Sequence, residues 1–279
     1  MWIVVVGAGI MGRGIAEVVA SAGIDVTVID AIREAREAAE KEIRQHLERR
    51  HARHPDSAPP DSVLDHIHWS ESMPADNIDW VIEAVPESRT LKESLFATWD
   101  AELPAHVWLA SNTSSIAISL LQARARRHPE RVGGLHFFNP VPRMGLVEII
   151  RGLDTGDAFV TAAQELVATL GKVGIVVPDQ PGFLVNRVAR PYYLEAMRLV
   201  DARVADLAVV DQVMEGLNFP MGPFRLMDLV GIDVNSAVTQ SVWEQTGYDE
   251  RYRPHPWQGA LVARGTLGRK TGRGFYRYD

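Results

Sequence analysis

Apolar positions up to about residue 180 fall into short continuous runs, separated by stretches in which they recur every three or four residues. The runs fit strands buried on both faces, and the spaced stretches fit amphipathic helices. Strands are predicted over 2–7, 25–30, 79–84, 107–111, 132–137, 146–151 and 174–178, alternating with helices as a doubly wound α/β domain requires. Between the second and third strands the alternation is interrupted by a long charged helix, 33–53, which the proline-rich segment 54–60 must end. Such a helical insertion is placed to reach over a ligand cleft. After Pro181-Gly182 the strands stop and helical spacing takes over, so the expected division is 1–180 and 181–279, the second part all-α. Helices are predicted over 183–200, bent at Pro191, and near 207–217 and 234–246. Asp206 and Asp233 are expected as N-caps, and Gly216, Gly231, Gly247 and Gly265 as stops.

The first strand runs directly into Gly7-Ala8-Gly9-Ile10-Met11-Gly12, and a helix follows with Ile15, Val18, Val19 and Ala22 at helical spacing before Gly23. The next strand ends in Asp30, eighteen residues after Gly12. Strand, glycine turn, helix and acid in this order form a dinucleotide-binding fingerprint: the glycines let backbone approach a pyrophosphate at the helix N-terminus. Gly7, Gly9, Ile10, Met11, Gly12 and Asp30 are therefore the candidate cofactor contacts. A carboxylate at Asp30 can bond the adenosine ribose hydroxyls and would repel a 2′-phosphate, which favours NAD over NADP; Arg33 weakens that preference slightly.

Composition narrows the class. With 46% hydrophobic and 23% charged residues the chain is an ordinary globular protein, long enough for a large domain and a smaller one. A net charge of −7, from 29 basic and 36 acidic side chains, argues against a nucleic-acid surface. The absence of cysteine excludes disulfides and thiolate chemistry. Met1 leads straight into the first strand with no basic leader, and no apolar stretch is long enough to span a bilayer, so a cytoplasmic enzyme is expected.

Four polar stretches sit where an apolar element ends, which is where an open α/β sheet places its ligands. They are Glu83-Ala84-Val85-Pro86-Glu87, Ser111-Asn112-Thr113-Ser114-Ser115, His136-Phe137-Phe138-Asn139-Pro140 with Glu148 beyond it, and Pro181-Gly182-Phe183-Leu184-Val185-Asn186-Arg187. In this order and spacing, and with the tail Gly268-Arg269-Lys270-Thr271-Gly272-Arg273-Gly274-Phe275-Tyr276, they resemble the 3-hydroxyacyl-CoA dehydrogenase family from Val4 to Tyr278. The likeness is nearest to the short bacterial 3-hydroxybutyryl-CoA dehydrogenases.

The resemblance implies a Rossmann-type, mostly parallel sheet with an inserted helical excursion, followed by an all-α substrate and dimerisation domain. It also implies NAD-dependent interconversion of a short L-3-hydroxyacyl-CoA and its 3-oxoacyl partner, by a homodimer. His136 falls on the family's catalytic base and Glu148 on its partner carboxylate. Ser114 and Asn186 fall on the groups that hold the 3-oxygen, and Glu87, Lys92, Ser114, Asn139 and Lys270 on positions at the nicotinamide half or its ribose. Chemistry supports the set independently: oxidising a secondary alcohol needs a base for the hydroxyl proton, and a histidine backed by a carboxylate suits neutral pH. A carboxylate inside the apolar run Leu146–Ile150 itself demands a partner.

Structural alternatives exist for several of these residues. His136 beside two phenylalanines could be a core histidine, Glu148 could face water from an edge strand, and Ser114 could cap a helix beginning near Ile116. Asn186 could make an interdomain hydrogen bond, and Glu87 and Lys92 could be a solvated pair at a helix start. In helix 33–53, Arg33, Arg36, Lys41, Arg44, Arg49, Arg50 and Arg53 outnumber the glutamates. In the family this excursion lies beside the coenzyme A phosphates; the alternative is a solvated helix held by Glu37–Lys41 and Glu40–Arg44 pairs. Here arginine, histidine and prolines replace the family's lysine-rich stretch, and Gly145 replaces a lysine. His51, His54, His66 and His68 have no zinc spacing, and no metal site is expected. Two other functions remain open: the same chemistry on a carnitine, sugar-acid or carrier-protein-tethered substrate, and an inert NAD-binding structural protein.

Overall fold

The computed structural model describes residues 1–74 and 77–278 and divides by internal contacts into Met1–Asp179 and Gln180–Asp279. In the first unit, β1 (Trp2–Val6), β2 (Asp25–Ile29), β3 (Ile67–Ser70), β4 (Trp80–Glu83), β5 (Trp108–Ser111), β6 (Val132–Phe137), β7 (Leu146–Arg151) and β8 (Val173–Pro178) form one sheet. Its order is β3-β2-β1-β4-β5-β6-β7-β8, parallel throughout except at β6–β7. Helices α1 (Ile10–Ser21), α4 (Arg89–Glu102) and α6 (Asp157–Thr169), with the short α5 (Ile118–Gln122), connect the strands. The chain leaves β1 toward β2 on one side and later returns to β4 on the other, so the crevice at the carboxyl ends of β1 and β4 is the switch point where such sheets bind ligands.

The seven predicted strands are present, each ending within one or two residues of its predicted bounds. The eighth, β3, was not predicted. It pairs parallel to β2 at the sheet edge, with Ile67 against Val26, and only Ile67 of its four residues is buried. Four residues with one buried position carry no readable period. The excursion before it consists of α2 (Arg33–Arg53) and α3 (Pro60–Leu64). Although strongly charged, α2 buries Ala39, Ile43 and Leu47, a single stripe at four-residue spacing that docks it on the core. Its ion pairs differ from those expected: Glu37 takes Arg33, and Arg44 reaches Asp61.

The second unit contains α7 (Val185–Asp201), α8 (Leu207–Gly216), α9 (Pro223–Val230), α10 (Ile232–Gln245) and α11 (Pro256–Ala263). Pro191 lies inside α7, which continues through it. Tyr193, Leu194, Ala196 and Met197 of α7 pack on Phe224 and Met227 of α9. Asp206 is the residue before α8 but makes no side-chain cap bond. Asp233 is not a cap: α10 starts at Ile232 after Gly231, so Asp233 sits in its first turn and pairs with Lys270. Gly216 is the last residue of α8 rather than a stop beyond it. The tail folds back onto α9, where the Asp228 carboxylate accepts the N–H groups of Phe275 and Tyr276 and the Tyr278 hydroxyl. A Cβ at Gly274 would stand 2.0 Å from Asp228 Oδ1, which explains a glycine there. Among the described residues no helix is long and apolar enough to cross a membrane, and no cluster of three metal-ligating side chains occurs.

Candidate active site

The crevice begins at the turn after β1. Gly7 has φ +108°, and a Cβ there would meet Ala84 O at 2.6 Å; one on Gly12 would meet Gly7 O at 1.8 Å. Both approaches require glycine. A Cβ on Gly9 would meet nothing within 4 Å, so its missing side chain leaves open space. Helix α1 begins there with no side-chain cap bond and no acidic residue in its first turn, which leaves its positive end to an anionic ligand. Ile10 is exposed and Met11 half-buried at this end. At the end of β2, the Asp30 carboxylate accepts Ala8 N–H at 2.9 Å and Ile32 N–H at 3.0 Å, fixed beside the glycine turn. Arg33 is tied to Glu37, and Arg36 spans the Asp30 carbonyl and Glu71. An open backbone cradle, an uncapped helix end and a carboxylate at the second strand fit the pyrophosphate and adenosine ribose of NAD.

Beyond the switch point, the antiparallel register places His136 of β6 directly opposite Glu148 of β7. Their side chains meet at 2.6 Å, His136 Nδ1 to Glu148 Oε2, and His136 Nε2 lies 3.0 Å from Ser114 Oγ. Glu148 is fully buried and His136 nearly so. A buried carboxylate on Nδ1 keeps the proton on that nitrogen, so Nε2 is the one that exchanges a proton. The water-facing alternative for Glu148 is thereby excluded. Ser114 is not a helix cap either: α5 starts at Ile118, and its first N–H groups, from Ile118 and Ser119, are taken by the Asp179 carboxylate.

Ser114 is held by a second network. Glu87 Oε1 accepts from Thr113 Oγ1 and from the N–H groups of Ser114 and Ser115, a clamp on the loop after β5. Its Oε2 lies 3.1 Å from Lys92 Nζ, and Lys92 also donates to both oxygens of Glu83, at 2.6 and 2.8 Å. Lys92 and Glu83 are sealed from solvent, which corrects the solvated reading for Lys92, whereas the Glu87 side chain stays 40% exposed. Burial pushes Glu83 above its ordinary pKa despite Lys92, Ser111 and the Val85 N–H. At Glu87 burial acts in the same direction, but Lys92 and the hydroxyls of Thr113 and Ser115 outweigh it and hold the group below its ordinary value. Glu83 and Asn112 were not singled out from sequence. Asn112 Oδ1 accepts Phe137 N–H at 2.8 Å and so ties the same loop to the strand carrying His136. Their only signal was a polar run at a strand end.

Asn139 is exposed in the β6–β7 connection. That segment also walls an open cleft of about 160 Å³, lined by Arg13, Gly14 and Glu17 of α1, Glu42, His46 and Arg49 of α2, and Asn139–Pro142. The cleft is lined by neither His136 nor Ser114. In the second unit, Asn186 lies in the first turn of α7, half-buried, and Lys270 pairs with Asp233 at 2.6 Å.

Comparison with known proteins agrees with this geometry. The 3-hydroxyacyl-CoA dehydrogenase NAD binding domain matches residues 2–180, and the 3-hydroxyacyl-CoA dehydrogenase C-terminal domain matches residues 182–278. The chain belongs to the 3-hydroxyacyl-CoA dehydrogenase family. It is an NAD-dependent oxidoreductase of that class. A probable 3-hydroxybutyryl-CoA dehydrogenase of Bacillus subtilis is 41% identical over 99% of this chain and 97% of the relative. The 3-hydroxyadipyl-CoA dehydrogenase of Escherichia coli is 42% identical over 98% of this chain and 58% of the relative. The crystal structure of (S)-3-hydroxybutyryl-CoA dehydrogenase from Ralstonia eutropha superposes with TM-score 0.92 at 38% identity, covering 100% of this chain and 99% of that one.

Proposed function

We propose that this protein interconverts a short-chain L-3-hydroxyacyl-CoA and the 3-oxoacyl-CoA, with His136 as general base and acid. The observation that carries the reading is a single imidazole held between a sealed carboxylate and a hydroxyl, Glu148 on Nδ1 and Ser114 at Nε2. In the oxidative direction His136 Nε2 takes the proton of the substrate's 3-hydroxyl, and Glu148 stabilises the resulting imidazolium. Ser114 and Asn186 supply hydrogen bonds where charge develops on that oxygen. In reduction the imidazolium returns the proton. Bound NAD supplies the hydride acceptor. Gly7, Gly9, Ile10, Met11 and Gly12 would hold its pyrophosphate and Asp30 its adenosine ribose. Glu87, Lys92, Ser114, Asn139 and Lys270 would serve the nicotinamide half, with Lys92 acting through the carboxylates it joins.

The coenzyme A carrier is supported by the family; the Asn139–Pro142 cleft offers Arg13 and Arg49 to phosphates, balanced there by Glu17 and Glu42. Residues 1–180 would act as the cofactor domain and 181–279 as the substrate and dimerisation domain. A homodimer is supported by Val209, Val213 and Leu217, an apolar stripe along α8 that is 46–64% exposed, and by exposed Leu229 and Val230 on α9. Phe224 and Met227, in the same segment, are wholly internal. The proposed location is the cytoplasm. NADH oxidation with acetoacetyl-CoA tests the function: turnover at neutral pH that disappears in His136→Ala is expected, and turnover unaffected by that change would remove it.

A further inference from the structure

Lys172 stands between α6 and β8, with its backbone fixed on both sides: its own N–H bonds Val167 O at 3.1 Å, and that of Val173 bonds Gly145 O at 2.7 Å. The side chain turns to the neighbouring β6–β7 connection. There Nζ donates to two carbonyls, Val141 O and Met144 O, each at 2.7 Å. A lysine ordinarily keeps its ammonium in water. This one is half-buried, and burial lowers its pKa with no acidic group among the described residues to offset it.

The two carbonyls belong to a single turn. Pro140 O accepts the N–H groups of Arg143 and Met144, at 3.0 and 3.1 Å, which closes the turn and leaves Val141 O and Met144 O to the lysine. On its other side the turn rests on α1: Val141 is 2% exposed, and a Cβ on Gly14 would stand 3.0 Å from its side chain. Packing on the helix that follows the glycine turn and one ammonium thus hold the segment from two directions. Asn139, at the entrance of the turn, is exposed and takes its place from the turn rather than from packing of its own.

We propose that Lys172 is a positioning residue for the cofactor end of the site: by holding Val141 O and Met144 O it sets the turn that presents Asn139 to the nicotinamide half of NAD. The inference rests on the function proposed above, because it takes Asn139 as a contact to that half. Hydrogen bonds from an ammonium are roughly twice as strong as those between neutral groups, and one Nζ can serve both carbonyls at once. A displacement of about 1 Å in a positioned group can cost on the order of a hundredfold in rate.

The test reads the protein without substrate first. In Lys172→Met, hydrogen exchange across 139–145 is expected to quicken about tenfold while β6 and β7 keep their protection. The Kd for NADH, from fluorescence titration, should rise about tenfold in the same variant, and Lys172→Arg, which keeps a charged donor, should fall between it and the wild type. In an Asn139→Ala background Lys172→Met should change that Kd by less than about twofold, because the two residues act as one unit. Unchanged loop exchange or an unchanged Kd in Lys172→Met, or a full effect persisting beside Asn139→Ala, would overturn the assignment and leave the dehydrogenase reading intact. Loss of protection throughout β6 and β7 in both Lys172 variants would mark a lysine that the sheet itself needs and also overturn it. A wild type that binds NADH but does not oxidise it with acetoacetyl-CoA would remove the dehydrogenase reading alone, and one that does not bind NADH would remove both.

Discussion

His136 and Glu148 are cross-strand partners at the one antiparallel step of the sheet, and their side chains meet at 2.6 Å. Reversal at this step brings two residues twelve positions apart onto one face, on rigid strands rather than loops. Replacing Glu148 by Gln keeps the shape and removes the charge that, in the proposed mechanism, stabilises the imidazolium. We expect kcat to fall by about 10²- to 10⁴-fold with little change in the Kd for NADH, measured by stopped-flow reduction and fluorescence titration.

Lys92 is the only cation that joins Glu83 and Glu87 by a direct ion pair among the described residues. Lys92→Met would leave a sealed carboxylate at Glu83 without its cation, a loss of about 3–5 kcal/mol. Urea unfolding at pH 7 measures it. Because burial raises the Glu83 pKa, the loss should shrink as the pH is lowered and that carboxyl protonates.

Glu87 behaves in the opposite sense. Its folded pKa is held below the ordinary 4.5, so the stability it contributes is present above pH 4.5 and is lost as the pH falls through the folded value. Glu87→Gln should therefore be destabilising at neutral pH and approach the wild type in acid. Parallel thermal melts across that range check the sign; a gap that widens in acid would contradict it.

Two glycines three residues apart in the same turn, Gly9 and Gly12, should fail differently. Gly12→Ala forces a Cβ to 1.8 Å from Gly7 O, so both stability and NADH affinity should drop. Gly9→Ala meets no protein atom within 4 Å and should fold with an unchanged Tm, yet bind NADH more weakly because the new methyl enters the pyrophosphate's space. Calorimetry paired with melting separates the two.

Asp30→Ala removes the carboxylate that the Ala8 and Ile32 N–H groups hold in place. NADH affinity should fall about tenfold, and discrimination against NADPH should narrow, since the repulsion toward a 2′-phosphate is gone. Steady-state kinetics with both cofactors would show it.

Much of this was readable before any coordinates. Continuous apolar runs marked the inner strands because parallel strands are buried on both faces, and the glycine turn and Asp30 marked the nucleotide end. Edge strand β3 was invisible because one buried residue in four sets no period. The need for a partner at Glu148 followed from its apolar surroundings, but which residue opposes it depends on strand register, a property of the folded sheet. The Glu83–Lys92–Glu87 network was hidden for a similar reason. Charges four and five residues apart look solvated in sequence, and only the fold seals Lys92 against Glu83 while Glu87 stays exposed.

The connection between β6 and β7 borders two places at once: it begins beside His136 and, through Asn139–Pro142, forms one wall of the cleft against α1 and α2. The His136–Glu148 pair is anchored in strands, outside that connection. Under the proposed function, changes of carrier preference would accumulate in these few loop residues and in α2 while the strands that hold His136 and Glu148 stay fixed.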